Sequence, residues 1–87
     1  MFSILISRAA QKEFDSIPRP LQKRMKEIIL KLENFSKLSG AKKLKGEKTI
    51  FRIRSGNYRI IFAVEEQNKV IKITHIRKRD DQTYRNL

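Results

Sequence analysis

The first third of the chain carries apolar residues at helical spacing. Ser7 is placed to cap a first helix and Pro18 ends it. The apolar face of that helix is formed by Ala10, Phe14 and Ile17. Pro20 suits the first turn of a second helix. The apolar seam of the second helix consists of Leu21, Met25, Ile28, Leu32 and Phe35, with charged residues between them. The pattern therefore predicts two consecutive amphipathic helices.

Strands are predicted before and after the helices. The apolar run 2–6 is typical of a first strand, and from Ile50 onward the period of the pattern changes to two. Turn residues at 55–57 separate this strand from a longer apolar strand at 58–64. A second turn leads to a last strand at 70–76.

The order of elements predicts an α+β fold as a single domain spanning residues 1–87. Two N-terminal helices are expected to pack on one face of a small, twisted, mostly antiparallel four-stranded sheet, followed by a short C-terminal tail or helix. The other sheet face is then free to carry polar residues. In the last strand the period of two places His75 with Ile71 and Ile73, which predicts a core or sheet-edge histidine.

The net positive charge of the chain indicates that this small domain binds a partner. Lys and Arg number 21 against 9 acidic residues, a net charge of +12, and such an excess favours a polyanionic partner. Nucleic acid is the first candidate. An anionic membrane, an acidic protein or a merely solvated surface are the alternatives.

Several classes of chemistry are excluded by composition. The chain has no cysteine and one histidine, so thiolate metal sites, Cys nucleophiles and His-rich metal sites are excluded, and we expect no metal and no cofactor. No apolar run is long enough to span a bilayer, and the N-terminal residues do not resemble a signal peptide. A cytoplasmic protein without membrane contact is expected.

Three arginines are the main candidates for chemistry. Arg52 and Arg54 lie two apart on one predicted strand and point the same way, and Arg59 follows the hairpin turn on the next strand. Converging guanidinium groups suit phosphate and would stabilise a pentacoordinate transition state. Taken alone, such residues more often form a binding face, or a charged strand that deters aggregation.

Two further features have open interpretations. The basic loop containing Lys42, Lys43, Lys45 and Lys48 has no Walker pattern, which favours a phosphate-tracking surface over a nucleotide cradle. Tyr84 is interpreted as a ring packed on the sheet, a platform for an unpaired base, or a general base activated by nearby arginines.

The motifs resemble those of the RelE/ParE toxin superfamily. The similar segments are residues 44–46 (LKG), 51–62 (FRIRSGNYRIIF) and 76–80 (IRKRD), followed by Tyr84 and Arg85. The resemblance covers nearly the whole chain. It implies the fold predicted above and a toxin encoded beside an antitoxin, which wraps it and represses the shared operon, so that operator DNA is contacted only through the complex. RelE-type members enter the ribosomal A site and cleave messenger RNA without a metal, by attack of the messenger's own 2′-hydroxyl.

The resemblance also implies roles for individual residues. Catalytic roles fall to Arg52, Arg54, Arg59, Arg79 and Tyr84. Contacts with RNA or the ribosome, including ribosomal RNA, are expected of Lys42, Lys43, Lys45, Lys48, Arg77, Lys78 and Arg85. Arg79 matches the family's late-strand arginine, with Arg77 as the alternative. Some members carry lysine where this chain has Arg52 and Arg54, and because arginine hardly donates a proton, the group that protonates the leaving oxygen stays open.

Two other functions are compatible with the same sequence. ParE-type members share the fold and poison DNA gyrase, but generally lack the set of basic residues with a tail tyrosine. A non-catalytic nucleic-acid-binding module would need only the basic face. The presence of the full set in this chain favours RNA cleavage.

Overall fold

A computed structural model of the chain describes residues 1–37, 42–43 and 49–78. Its elements, in chain order, are strand β1 (Ser3–Ile6), helix α1 (Arg8–Asp15), helix α2 (Arg19–Lys31), a 3-10 helix (Leu32–Lys37), and strands β2 (Lys42–Lys43), β3 (Ile50–Ser55), β4 (Tyr58–Glu65) and β5 (Val70–Lys78). The predicted C-terminal tail or helix lies outside the described residues.

The strands form one sheet in the order β1-β5-β4-β3-β2. β1 runs parallel to β5 and every other neighbouring pair is antiparallel. The four predicted strands and the mostly antiparallel α+β arrangement are therefore confirmed. The fifth strand, β2, has only two residues and leaves no periodic signal in the sequence.

The first helix begins where the sequence predicts. The Ser7 hydroxyl accepts a hydrogen bond from the Ala10 backbone N–H at 3.1 Å and donates one to the Thr74 carbonyl at 3.0 Å. The same side chain thus caps α1 and fixes it to β5. Helix α1 ends at Asp15, so Ile17, expected on that helix, is buried in the link to α2.

The core lies between the helices and one face of the sheet. Phe62 is fully buried and stacks with Phe51 at 6.0 Å between ring centroids, while Phe35 meets Phe51 edge-on at 4.9 Å. From α2, Met25 and Ile29 are buried, whereas Leu21 of the predicted seam is 36% exposed. The remaining buried apolar residues are Phe2, Ala10, Ile17, Leu32, Ile53, Ile60, Val64, Ile71, Ile73 and Ile76.

A bulge in β5 changes which residues face the core. Ile61 pairs with His75, whereas the next residue, Phe62, pairs with Ile73, so Thr74 is an extra residue on β5. The Thr74 hydroxyl donates to the Ile61 carbonyl at 3.2 Å. The prediction that His75 shares the face of Ile73 is wrong, because the extra residue turns His75 to the side of the sheet away from the helices.

Candidate nucleic-acid interface

Three arginines form a row across the open face of the sheet. Arg59 in the middle strand β4 pairs directly with Arg54 on one side and with Arg77 on the other. Side chains paired in this way have Cβ atoms about 4.5–5.5 Å apart. Arg52 lies two residues before Arg54 and shares its face. The strand register therefore places Arg52, Arg54, Arg59 and Arg77 on the same face of the sheet.

The β3–β4 hairpin sets this arrangement. Ser55 pairs with Tyr58, which leaves a two-residue turn whose first residue, Gly56, has φ of +57°. Glycine at the first central position is typical of a type II′ turn, which matches the twist of the flanking strands. Because a slip of one residue would turn every side chain to the other face, this short turn keeps Arg54 opposite Arg59.

The arginine row has no described acidic partner. Arg54 and Arg77 are exposed, and Arg52 and Arg59 are half-buried. Within residues 1–37, 42–43 and 49–78, no carboxylate lies within 4.0 Å of these four guanidinium groups. The side chains therefore present concentrated positive charge to solvent, as a phosphate-binding surface requires.

The rest of the open face becomes less basic with distance from the hairpin turn. By strand register, the next row consists of Lys42, Arg52, Ile61 and His75. The following row consists of Ile50, Ala63, Lys72 and Leu5. An anionic ligand is thus attracted to one end of the face rather than to its whole area.

His75 is the residue of this face that the sequence pattern missed. Its Nδ1 lies 3.9 Å from Oε1 of Glu13 on α1, and its side chain is 41% exposed. The same Glu13 oxygen accepts a hydrogen bond from the Ile76 backbone N–H at 3.2 Å. The signal for the bulge was present in the sequence, because Ile73 and Ile76 are both apolar but three residues apart, which breaks a period of two.

Two lysines expected to bind RNA lie away from the arginine row. Lys43 pairs with Phe51, and its Nζ is 5.7 Å from the centre of that core-facing ring. Lys78 pairs with Tyr58 and lines a cavity of about 320 Å³ that also includes Met25 of α2. Both therefore lie on the helix side of the sheet, and a role in RNA binding would involve a second surface.

The other expected site residues are only partly described. The backbone of Lys42 pairs with Arg52, which gives it a register position next to the basic end of the open face. Lys45, Lys48, Arg79, Tyr84 and Arg85 lie outside the described residues. Their roles stay predictions from the sequence.

The described part of the chain has neither a membrane-length apolar helix nor a metal-ligand cluster. None of its helices is long and apolar enough to cross a membrane. It also contains no group of three or more His, Cys, Asp or Glu side chains placed to hold a metal ion.

Helices on one face of a mostly antiparallel sheet, with an arginine row on the other, define a class of small basic α+β domains with one open sheet face. A family model described as the ParE toxin of type II toxin–antitoxin systems, parDE, matches residues 4–83. The chain therefore belongs to this toxin family, within the RelE/ParE superfamily.

Individual relatives agree with this assignment. The chain is 36% identical over 61 residues to Toxin RelE3 of Methanocaldococcus jannaschii, an alignment covering 66% of this chain and 69% of that protein. A chain of the RelB–RelE antitoxin–toxin complex from Methanococcus jannaschii superposes with a TM-score of 0.74 at 29% identity, over 95% of this chain and 98% of that one. The isolated RelE toxin of E. coli shares the fold, with a TM-score of 0.81 at 16% identity, over 99% and 94% of the two chains.

Proposed function

We propose that this toxin is a ribosome-dependent endoribonuclease that cleaves messenger RNA in the A site without a metal. The observation that carries the proposal is the row of Arg54, Arg59 and Arg77 on the open sheet face, without a described acidic partner. Three arginines in a row can bind one phosphate group of the messenger together with the phosphates next to it along the chain. The similarity to Toxin RelE3 supports a toxin function.

The proposed reaction is an attack by the messenger's 2′-oxygen on the adjacent phosphorus. The bond from phosphorus to the 5′-oxygen breaks, which leaves a cyclic phosphate and a 5′-hydroxyl. Negative charge grows on the phosphoryl oxygens in the transition state, and fixed guanidinium groups are suited to stabilise it. Arg59, at the centre of the row, is placed to contribute most, with Arg54 and Arg77 holding the flanking oxygens.

The remaining assignments rest on the sequence. Tyr84 is proposed as the general base that accepts the 2′-hydroxyl proton. Arg79, two residues beyond Arg77, is proposed as a further contact to the scissile phosphate. The residues expected to contact the messenger and ribosomal RNA are Lys42, Lys43, Lys45, Lys48, Lys78 and Arg85, and a net charge of +12 favours this association through counterion release. Because ribosomes are the proposed site of action, a cytoplasmic location is part of the proposal.

A cognate antitoxin is the proposed protein partner. The similar archaeal structure is a complex of RelE with its antitoxin RelB. An antitoxin segment with acidic side chains would neutralise the arginine row and block access of the messenger. Operator DNA would be contacted only through this complex. Purified complex should not cleave messenger, and a complex that cleaves at the full rate would refute this mode of inhibition.

Substitution of the central arginine tests the proposed function. Arg59→Ala should reduce messenger cleavage on ribosomes by roughly 100-fold or more, the scale typical of a lost charge-stabilising donor. Lys72→Gln is the matched control, because Lys72 lies on the same face but opposite Ala63 and Leu5 rather than opposite arginine. If folded Arg59→Ala protein cleaves at the wild-type rate, Arg59 does not belong to the site.

Inhibition of DNA gyrase is the second candidate, because the matching family model is described as a ParE toxin. It predicts that the purified protein blocks DNA supercoiling by gyrase and leaves ribosome-bound messenger intact. The endoribonuclease proposal predicts the reverse. The arginine row favours the endoribonuclease, because inhibition of gyrase does not require several arginines that bind one phosphate.

A further inference from the structure

The histidine on the open face lies next to the arginine row. His75 and Arg77 are two residues apart on β5 after the bulge, so they point to the same side with backbone positions roughly 7 Å apart. Across the sheet His75 pairs with Ile61, which lies two residues from Arg59 on β4. The imidazole therefore borders the place where a phosphate bound by Arg59 and Arg77 would lie.

A carboxylate from a different element faces this histidine. Glu13 Oε1 is 3.9 Å from His75 Nδ1 and is fixed in place by the hydrogen bond from the Ile76 N–H. Helix α1, which carries Glu13, is itself tied to the outer edge of β5 by two bonds of Ser7: its N–H donates to the Ile73 carbonyl and its hydroxyl to the Thr74 carbonyl. Helix and strand are thus held together at this point.

The arrangement is that of a proton-transfer group with an orienting partner. A carboxylate beside Nδ1 holds a proton on that nitrogen, so the imidazolium form presents its second N–H, at Nε2, to a substrate. Arginine hardly donates a proton, whereas histidine exchanges one readily near neutral pH. The arginine row alone therefore stabilises charge but does not supply a proton to the leaving group.

We infer that His75 is a catalytic acid of this toxin and that Glu13 is its positioning residue. The inference rests on the proposed function and extends it. As the 2′-oxygen bonds to phosphorus and the bond to the 5′-oxygen breaks, the electron pair moves to the 5′-oxygen, which takes the Nε2 proton of the His75 imidazolium and leaves the neutral imidazole protonated at Nδ1. The proton of the 2′-hydroxyl leaves separately, to Tyr84 or to water.

A substrate whose leaving group needs no proton tests this role directly. A synthetic messenger with sulfur in place of the bridging 5′-oxygen at the A-site codon releases a thiolate, which departs unprotonated. Single-turnover cleavage on purified ribosomes is measured for both substrates. His75→Gln should slow cleavage of the oxygen substrate by about 100-fold and leave the sulfur substrate within about 5-fold of wild type, because a missing general acid costs 10²–10⁴-fold only where a proton is required.

Glu13→Gln tests the positioning role. Glutamine keeps an oxygen that accepts the Ile76 N–H but removes the charge that faces Nδ1. It should slow the oxygen substrate less than His75→Gln does, spare the sulfur substrate, and add nothing to the loss in the His75→Gln background. Lys72→Gln should leave both rates unchanged.

The outcomes separate this inference from the function on which it rests. Equal slowing of both substrates by His75→Gln would make His75 a binding or structural residue and overturn the inference. A full cleavage rate in His75→Gln would also overturn it, while leaving the endoribonuclease in place. If wild-type protein cleaves neither substrate, the proposed function fails and the inference fails with it.

Discussion

Replacement of Arg59 by glutamine is expected to stabilise the fold while it impairs the function. Arg59 is half-buried in the middle strand, with a guanidinium group directly opposite on each side. No described carboxylate within 4.0 Å offsets this charge. The row thus carries electrostatic repulsion that the folded protein tolerates and the unfolded chain relieves.

The size of the gain follows from the two pairings. A cross-strand pair changes stability by roughly 0.2–1 kcal/mol, with like charges unfavourable, so removal of the central charge relieves two pairs and should raise the free energy of unfolding by about 0.4–2 kcal/mol. For a domain of this size about 1 kcal/mol corresponds to roughly 4–8 °C in Tm. Glutamine retains part of the side-chain stem, which limits the loss of packing.

Urea denaturation and thermal melting at two salt concentrations measure this effect. The gain should be largest at low salt and shrink at about 1 M salt, where the Debye length falls to about 3 Å. Lys72→Gln is the control, since Lys72 faces Ala63 and Leu5 and no like charge is relieved. An unchanged or lowered stability of Arg59→Gln at low salt, or a gain that does not depend on salt, would show that repulsion within the arginine row does not destabilise the fold.

Three further substitutions test the fold that supports the site. Phe62→Ala removes a fully buried ring and should lower the free energy of unfolding by about 3–5 kcal/mol in urea titrations. If it destabilises the protein no more than a substitution at an exposed position does, Phe62 is not part of the core. Ser7→Ala removes the cap of α1 and the hydrogen bond to the Thr74 carbonyl, and should lower the free energy of unfolding by about 1–2 kcal/mol in the same assay. An unchanged urea midpoint would show that these two hydrogen bonds do not stabilise the fold. Gly56→Ala has free space around the new Cβ but a φ of +57°, so backbone strain alone should lower Tm in thermal melts by an amount equivalent to about 1–2 kcal/mol; no change would argue against the type II′ turn.

The larger features of the fold follow from local signals in the sequence. Helical spacing, the Ser7 cap and the proline positions predict the two helices, and the change to a period of two predicts β3 and β4. The same alternation, with a short glycine-containing turn, predicts that Arg54 and Arg59 meet on one face. These features depend on neighbouring residues, so the sequence alone carries them.

Features that depend on pairing between distant segments are harder to predict from the sequence. The spacing of Ile73 and Ile76 signals an irregularity in β5, but the position of the extra residue depends on the register with β4, so a strict period of two predicts the wrong face for His75. The contact between Glu13 and His75 joins residues far apart in the chain, and no periodic pattern reports it. The placement of Lys78 on the helix side likewise follows from its pairing with Tyr58, across the sheet.

Mapping of cleavage sites on messenger in translating ribosomes tests whether this protein is a ribosome-dependent endoribonuclease. Purified protein is added to ribosomes paused on a defined messenger, and primer extension locates any new 5′ ends, with the same messenger free of ribosomes as the comparison. We expect cuts within the A-site codon of ribosome-bound messenger, none on free messenger, and cleavage reduced by roughly 100-fold or more with Arg59→Ala. Intact messenger in the presence of folded wild-type protein would contradict this expectation.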